Sequence, residues 1–449
     1  MSRPPVDMGE DRVFPTLVRL GAPAMVSMFF ETLYGLVDTL FVARLGTLPL
    51  AALALAIPFM YFAMSICKGV SVGGLALMSH ARGSDQPKEA ASIAGAAFPL
   101  LLFLVGGLVL LALPAVNRPI FALFDSEARL LFEIDHYVRW LALSFPVMGF
   151  AMLCEAIFFS YGDTKTPMLA MIAGNLLNMV LDPLLIFTCG LGVGGASLAS
   201  LLGWTLSGAI LLHGLHRRGL DLPLFRPARE QFRYWGKIIH LGVPVALSLL
   251  ILPIGGTILN YLLAGLGPAY VGAWNLSTRV ERMVVLPLYG LASALIPFIG
   301  FNLGRQRFDR IRAGCRTVLC GGYLLVIPTL LLFWFEAHRL IGCFKPDPEV
   351  LKLASFCLKI AGLGYLMLPW ELVTTSLAQG FKKPRYSLYI SGLRLLVLRL
   401  PLAVLFAWAW GGPGIYISHP VSMLLSGTAS FFIMRYLLHK EENACYQDE

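Results

Sequence analysis

The sequence predicts an all-α polytopic membrane protein with twelve transmembrane helices in two six-helix bundles, and three observations support this fold class. Hydrophobic residues make up 57% of the 449 residues and charged residues only 14%, whereas soluble domains carry about 25% charged residues. The apolar residues form runs of about 20 residues, the length that an α-helix needs to cross a bilayer. The second half of the chain also repeats landmarks of the first half.

Taken in order, the apolar runs predict helices near residues 14–44, 50–80, 91–115, 130–160, 167–190, 194–215, 235–265, 270–303, 314–336, 350–380, 385–410 and 413–438. The longest and most basic connector, residues 216–236, divides them into two sets of six. We therefore predict an N-terminal lobe at 1–215 and a C-terminal lobe at 237–449.

Lysines and arginines are concentrated in the connectors after the second, sixth, eighth and tenth helices. The positive-inside rule places such connectors in the cytoplasm, which predicts a multi-pass protein of the cell (inner) membrane with both termini cytoplasmic. This topology explains the formal net charge of +9, so we expect no nucleic-acid partner.

The two halves share short motifs at a constant offset along the chain. Gly21-Ala22-Pro23 recurs as Gly242-Val243-Pro244, and Leu45-Gly46 recurs at the same offset as Leu266-Gly267. Because each half has an even number of helices, the copies are parallel and related by a pseudo-two-fold axis along the membrane normal. Such repeats are typical of transporters that bind substrate between two lobes.

The first helix carries two acids, Glu31 and Asp38. They are seven residues apart, so they lie on one helix face with an axial separation of about 10 Å. A charge at bilayer depth costs several kcal/mol, and an acid there is usually neutral, paired or facing a water-filled cavity. We expect this face to point away from lipid.

The fifth and sixth helices add oxygen-bearing side chains. Asn178 and Asp182 are four residues apart and share a face, and Pro183 loosens the helix directly after them. Together with Asp38, and with Ser200 of the sixth helix, they predict a cluster suited to proton exchange or to a hard cation such as sodium. The alternative is that Asp182 only caps or hydrogen-bonds a neighbouring helix.

Further charges stand inside apolar runs. Lys68 of the second helix could form an ion pair with Glu31, as a structural pair or as part of a relay. Glu155 and Glu371 are alone in their runs, and each either lines a cavity or satisfies a nearby polar group.

The eighth and eleventh helices also contain charges. Glu281 stands between Arg279 and Arg282, which could neutralise it. Arg394 and Arg399 could extend to the interface or pair with one of the acids. These residues therefore have both structural and functional interpretations.

Three aromatic residues, Tyr34, Phe150 and Tyr289, are candidates for contacting a flat, lipophilic cation through stacking and cation–π interactions. Motifs for nucleotide hydrolysis, metalloproteolysis and serine hydrolysis are missing from the sequence. We therefore expect a protein that is not an enzyme and has no prosthetic cofactor. Uphill transport would then be driven by a gradient of H⁺ or Na⁺.

These segments resemble the multidrug and toxic compound extrusion (MATE) transporters along essentially the whole chain. The residues that carry the resemblance are LYGLVDTLFVARLGTLPLAALALA, YGDTKTPM, NLLNMVLDPLLIFTCGLGVGGASLAS, RVERMVVLPLYGL and LRLLVLRLPLA. The resemblance implies an alternating-access antiporter in which Asp38, Asn178 and Asp182 occupy the N-lobe ion site. Ser200 stands where a threonine is commoner. The seventh helix has no acid, which is similar to the DNA-damage-inducible branch.

The sequence thus favours a monomeric antiporter in the lipid bilayer that exports organic, lipophilic cationic compounds in exchange for protons or sodium ions. One alternative is a lipid-linked precursor flippase of the same superfamily, which would need a groove lined by several arginines. Another is a non-transporting membrane receptor or scaffold, for which the embedded acids would be dispensable.

Overall fold

The computed structural model describes residues 6–123, 127–219 and 232–447, with side chains as far as residue 443. In this part of the chain twelve helices are long and apolar enough to cross a membrane, which confirms the predicted fold class. They are α1 (Val13–Ala43), α2 (Thr47–Gly83), α3 (Pro87–Ala112), α4 (Ala128–Ser160), α5 (Lys165–Thr188), α6 (Val193–Arg217), α7 (Phe232–Ala264), α8 (Pro268–Gly304), α9 (Phe308–Gly342), α10 (Pro348–Gly380), α11 (Arg385–Trp410) and α12 (Gly412–Asn443). A short helix, Pro114–Phe121, precedes α4.

The repeated Leu-Gly pairs form the tight turns that begin the second helix of each half. Gly46 has φ 119° and Gly267 has φ 130°, values that glycine adopts readily and other residues avoid. Each glycine directly precedes a helix, α2 in the first half and α8 in the second. The repeated motif is therefore a turn signal in both halves.

Two helices contain a π-helical segment beside a proline. α5 continues through Pro183 into a π-helical segment at Leu184–Thr188, and α11 is π-helical over Leu393–Arg399, shortly before Pro401. Proline lacks a backbone N–H, so the regular ladder is interrupted there. Such π-helical turns are frequent at functional sites.

The described chain divides into two compact units. Unit 1 contains Val26–Ala246 and the residues before Met8, and unit 2 contains Met8–Met25 and Leu247–Glu449. These units differ from the predicted lobes, 1–215 and 237–449, because the first parts of α1 and α7 belong to units 2 and 1, respectively. The lobe boundaries stay a prediction, and residues 220–231 of the predicted connector lie outside the described residues.

In each unit, one of these helix starts packs against a helix from the other half of the chain. In unit 2, a methyl group on Gly290 of α8 would lie 2.7 Å from the backbone nitrogen of Met25 of α1. In unit 1, a methyl group on Gly242 of α7 would lie 2.8 Å from the carbonyl oxygen of Gly69 of α2. Gly69 and Gly290 are themselves related by the offset of the repeated motifs, so the duplication extends to the helix contacts.

Each unit has its own apolar core. In unit 1, α4 has the largest buried share of the twelve spans, and it carries fully buried residues such as Phe145 and Phe158. In unit 2, the core is built around Trp274, Phe333 and Tyr416. Four acids described next, Asp38 and Asp182 in unit 1 and Glu281 and Glu371 in unit 2, are buried.

Candidate functional site

A close approach of α5 and α6 in unit 1 positions the candidate site. A methyl group on Gly203 would lie 2.8 Å from the carbonyl oxygen of Gly174, and a methyl group on Gly174 would lie 2.5 Å from the carbonyl oxygen of Gly203. Because only glycine fits at this crossing, the two backbones come together. Asn178 of α5 and Ser200 of α6, each one turn away, are thereby brought into contact.

Three helices of unit 1 are joined by polar contacts at this point. Asn178 Nδ2 donates a hydrogen bond to Ser200 Oγ at 3.3 Å. The hydroxyl of Tyr34 of α1 lies 3.2 Å from the same oxygen, and either hydroxyl can be the donor. The structure therefore places two of the predicted ion-coupling residues beside a predicted substrate-binding residue.

The two predicted coupling acids, Asp38 and Asp182, are buried in the same region. The exposed fraction of Asp38 is 9% and that of Asp182 is 0%, and the two carboxyl groups lie within electrostatic range of each other. Both oxygens of Asp182, Oδ1 of Asp38 and Oδ1 of Asn178 accept no hydrogen bond from any described residue. The described part of the site therefore presents four acceptor oxygens that receive no hydrogen bond.

Buried oxygens without hydrogen-bond donors are stabilised by a proton or a cation. An isolated carboxylate away from water carries a desolvation penalty of several kcal/mol, which a proton or a bound cation relieves. A proton on Asp182 would supply one missing donor, and the oxygens of Asp38, Asn178 and Asp182 are of the type that hard cations prefer. Among the described residues no three His, Cys, Asp or Glu side chains form a metal-binding group.

A small cavity opens beside the site, within unit 1. It is lined by Tyr34, Met171, Gly174, Asn175, Asn178, Ser200, Gly203, Trp204 and Ser207. No motif in the sequence pointed to Asn175, Trp204 or Ser207. Ser200, Trp204 and Ser207 have the spacing of one helix face, so extending the face of Ser200 along α6 could have found the other two.

Tyr137 of α4 is another residue that the sequence did not point to. Its exposed fraction is 7%, and it lies within electrostatic range of Asp38, Asp182 and Tyr34. No motif or charge spacing marks this tyrosine in α4. Only the packing of α4 against the rest of unit 1 brings it to the acids.

The remaining charges of unit 1 are arranged differently from the expectation. Glu31 and Lys68 form no ion pair in the described part of the chain. Lys68 instead interacts electrostatically with Glu155, which also lies within range of Glu31. The expected Glu31–Lys68 pair is therefore replaced by a loose group of three charges drawn from α1, α2 and α4.

The other two aromatic candidates are not among the residues that line this cavity. The ring of Phe150 packs against that of Phe98 with 5.1 Å between centroids, and it contacts Gly208, so it contributes to helix packing. Tyr289 belongs to α8 in unit 2, where 40% of it is exposed, and it lies within electrostatic range of Arg394 and Glu371. Of the three aromatic candidates, Tyr34 alone lines the cavity described in unit 1.

In unit 2, Glu371 of α10 has a complete set of partners. Arg394 of α11 donates to its Oε2 at 2.7 Å, and Ser426 of α12 donates to its Oε1. The exposed fractions of the two side chains in the ion pair are only 18% for Arg394 and 4% for Glu371. One of the expected alternatives for Arg394, pairing with an embedded acid, is thus observed.

Glu281 of α8 is satisfied by uncharged donors rather than by the neighbouring arginines in the sequence. Ser277 donates to its Oε1 at 3.0 Å and Tyr365 donates to its Oε2 at 2.7 Å. Neither Arg279 nor Arg282 forms an ion pair with it in the described structure, because both are exposed while Glu281 faces the core. His419 Nε2 lies 3.8 Å from its Oε2.

Both halves of the chain match the same protein family. The MatE family matches residues 23–184 and 244–405, so the second range begins and ends at the same offset from the first that the repeated sequence motifs show. The chain belongs to the MatE family. Members of this family are transporters rather than enzymes, and they are ion-coupled without a prosthetic cofactor.

Relatives and solved structures agree with this assignment. The chain is 30% identical over 427 residues to a FAD transporter of Shewanella oneidensis, covering 93% of each chain. It is 23% identical to the multidrug export protein MepA of Staphylococcus saprophyticus, covering 95% of this chain and 94% of that one.

Two solved MATE structures have the same fold. The Vibrio cholerae MATE transporter VcmN superposes with a TM-score of 0.90 at 25% identity, covering 95% of this chain and 97% of that one. A crystal structure of MATE in complex with MaL6 gives a TM-score of 0.91 at 22% identity, covering 97% and 98%. This MATE protein is therefore a multi-pass membrane transporter of small molecules.

Proposed function

We propose that this MATE transporter is a secondary active antiporter that exports organic compounds in exchange for protons or sodium ions by alternating access. The observation that carries the proposal is the set of unpartnered oxygens on Asp38, Asn178 and Asp182 in the described interior of unit 1. A buried group of this kind binds a proton or a cation in one state and releases it in another, and this exchange is what couples a gradient to transport.

The proposed coupling step starts at α1. Asp38 changes charge when it gains or loses its ion, and Gly35 stands three residues before it with nothing within 4 Å of where a side chain would begin. The helix therefore has room to bend at Gly35, and glycine lowers the cost of doing so. Tyr34, next to Gly35, would transmit this change to Ser200 and to the cavity.

Two classes of substrate are candidates. Lipophilic organic cations suit the acids and the aromatic residues Tyr34 and Trp204 at the cavity of unit 1. A flavin nucleotide is the second candidate, because the chain is 30% identical over 93% of its length to a protein named FAD transporter. The proposal includes a cytoplasmic location of both termini and a monomeric state, and resemblance to the DNA-damage-inducible branch stays a prediction.

The experiment that tests the proposal uses purified protein in proteoliposomes, with either a pH gradient or a sodium gradient imposed, and with a fluorescent organic cation or FAD as the transported compound. We expect only one of the two gradients to drive export, and only one of the two compounds to be exported. Asp38→Asn and Asp182→Asn are each expected to reduce gradient-driven export more than tenfold, because neither amide can take up the coupling ion's charge.

Asp135→Asn is the matched control. Asp135 is also a buried acid of unit 1, but it accepts hydrogen bonds from Asn117 at 2.9 Å and Arg118 at 3.1 Å, so its role is structural. This variant is expected to retain the dependence on the gradient. Undiminished export by Asp38→Asn and Asp182→Asn would show that these acids do not couple transport.

A further inference from the structure

The two arginines of the π-helical segment in α11 have very different surroundings. Arg394 and Arg399 are five residues apart, and a π-helical turn closes its hydrogen bonds between residues five apart, so both are directed to the same side of α11. Arg394 is neutralised by Glu371. Arg399 forms no ion pair and no hydrogen bond with any described residue, and its Nε is buried.

Arg399 is nevertheless held in place. Its guanidinium lies over the ring of Trp274, 4.6 Å from the centroid. Trp274 also contacts Tyr416, whose ring is stacked with it at an interplanar angle of 13°, and the Tyr416 hydroxyl donates to the carbonyl oxygen of Tyr270 at 2.7 Å. The aromatic residues therefore fix the guanidinium plane while leaving its N–H groups without acceptors in the described chain.

His419 of α12 stands beside this arginine. Both of its ring nitrogens are buried and have no hydrogen-bond partner among the described residues. Its ring contacts Trp274 edge-on at 5.9 Å and Tyr365 edge-on at 6.3 Å. His419 is thus positioned by packing, like Arg399, and it too has a donor to offer.

The acid beside these donors is Glu281, which lies within electrostatic range of Arg399 but accepts no hydrogen bond from Arg399 or His419. Its two oxygens already accept hydrogen bonds from Ser277 and Tyr365, and His419 remains beyond hydrogen-bond distance at 3.8 Å. A buried donor without an acceptor is costly. The cluster therefore has unused donors on a fixed cation, which is the arrangement that recognises an anionic group rich in acceptor oxygens.

We propose that Arg399 and His419 in unit 2 bind a phosphate group, and that this site selects phosphate-bearing aromatic compounds as substrates. The guanidinium offers a planar fork for two phosphate oxygens, and His419 offers a third donor. The site rests on the proposed transport function and on its second class of substrate. Glu281 weakens the site by its negative charge, so it tunes the affinity rather than contributing to binding.

A phosphate group could come from a soluble compound or from a lipid headgroup. Arg399 lies near the middle of the span Arg385–Trp410, where the headgroup of a lipid in an intact leaflet does not reach. We therefore expect a soluble compound to be the source. Phosphatidylglycerol, added to the detergent micelles that hold the purified protein, tests the lipid headgroup as the source by competing with the soluble compound.

The experiment measures flavin binding to the purified full-length protein by fluorescence anisotropy, with FMN, FAD and riboflavin. Riboflavin has the same ring system but no phosphate. We expect FMN and FAD to bind at least tenfold more tightly than riboflavin. Arg399→Met should abolish this preference, Arg399→Lys should retain part of it, and Glu281→Gln should increase it.

Arg399→Met and Glu281→Gln are expected to change the preference for FMN in opposite directions. If the cluster were merely structural, either substitution would weaken it, so the opposite effects separate recognition from a structural role. Arg435→Met is the matched control: Arg435 of α12 also lies over an aromatic ring, that of Phe431 at 5.4 Å, but it is exposed. This variant should keep the full preference for FMN over riboflavin.

Equal affinities for FMN and riboflavin in the unsubstituted protein, or no binding of FMN and FAD, would overturn the site. A preference that disappears on adding phosphatidylglycerol would overturn the assignment to a soluble compound. The two proposals can fail separately: Asp38→Asn tests ion coupling by its more than tenfold loss of gradient-driven export, and Arg399→Met tests the phosphate site by its loss of the preference for FMN.

Discussion

The ion pair between Arg394 and Glu371 gives the sharpest test of how buried charge is held in unit 2. Arg394→Met removes the guanidinium that lies 2.7 Å from Glu371 Oε2, and it leaves the Glu371 side chain, 4% exposed, with Ser426 as its remaining hydrogen-bond partner. Breaking a buried pair on one side costs about 3–5 kcal/mol because the remaining charge is uncompensated. We expect a loss of about 3 kcal/mol, the lower end, because Ser426 still donates.

The assay is reversible unfolding in mixed micelles, with the free energy of unfolding obtained by linear extrapolation. The double variant Arg394→Met/Glu371→Met is expected to recover to within about 1 kcal/mol of the unsubstituted protein, since replacing both charges by apolar groups is often neutral. Arg339→Met is the control, because the Arg339–Glu336 pair is exposed and is worth less than about 1 kcal/mol. A double variant less stable than the single one would refute the reasoning.

Two further predictions concern the helices that hold the site of unit 1. Gly203→Ala should lower the free energy of unfolding by about 1–3 kcal/mol, because its methyl group would lie 2.8 Å from the carbonyl oxygen of Gly174. Gly106→Ala is the control: the added methyl group meets open space, so this variant should be tolerated in the same unfolding assay. Asp163→Ala should cost more than the about 0.5–2 kcal/mol of a lost cap, because Asp163 Oδ1 accepts from the first two backbone N–H groups of α5 at 3.0 Å and Asp163 Oδ2 also forms an ion pair with Arg218. Asp347→Ala is its control, since Asp347 precedes α10 without a capping hydrogen bond, and an equal loss in both variants would contradict the capping role.

The sequence predicted the features that depend on local pattern. Hydrophobic runs located all twelve spans, and the Leu-Gly pairs marked the turns at Gly46 and Gly267 because their backbone conformation requires glycine. The four-residue spacing placed Asn178 and Asp182 on one face, and the structure shows both buried with unpartnered oxygens among the described residues. Each of these properties is set by neighbours within a few residues in the chain.

The features that the sequence did not reveal depend on contacts between distant helices. The sequence suggested that Glu281 would be neutralised by adjacent arginines, but its partners are Ser277 and Tyr365, the latter from α10. Tyr137 reaches the acids of unit 1 only through the packing of α4. Helical periodicity gives the face on which a side chain lies but not which helix covers that face.

The duplication explains why two units of similar architecture carry different chemistry. The glycine contacts and turns that shape the helices recur at one constant offset along the chain, because backbone packing tolerates little change. The charged positions are not so constrained: the position of Asp38 corresponds to Leu259, a residue that is 1% exposed in the core of unit 2. In unit 2, the charges discussed above lie instead on α8, α10 and α11: Glu281, Glu371, Arg394 and Arg399. Unpartnered acceptors in unit 1 and unpartnered donors in unit 2 would let one unit bind the driving cation and the other bind an anionic group of the substrate.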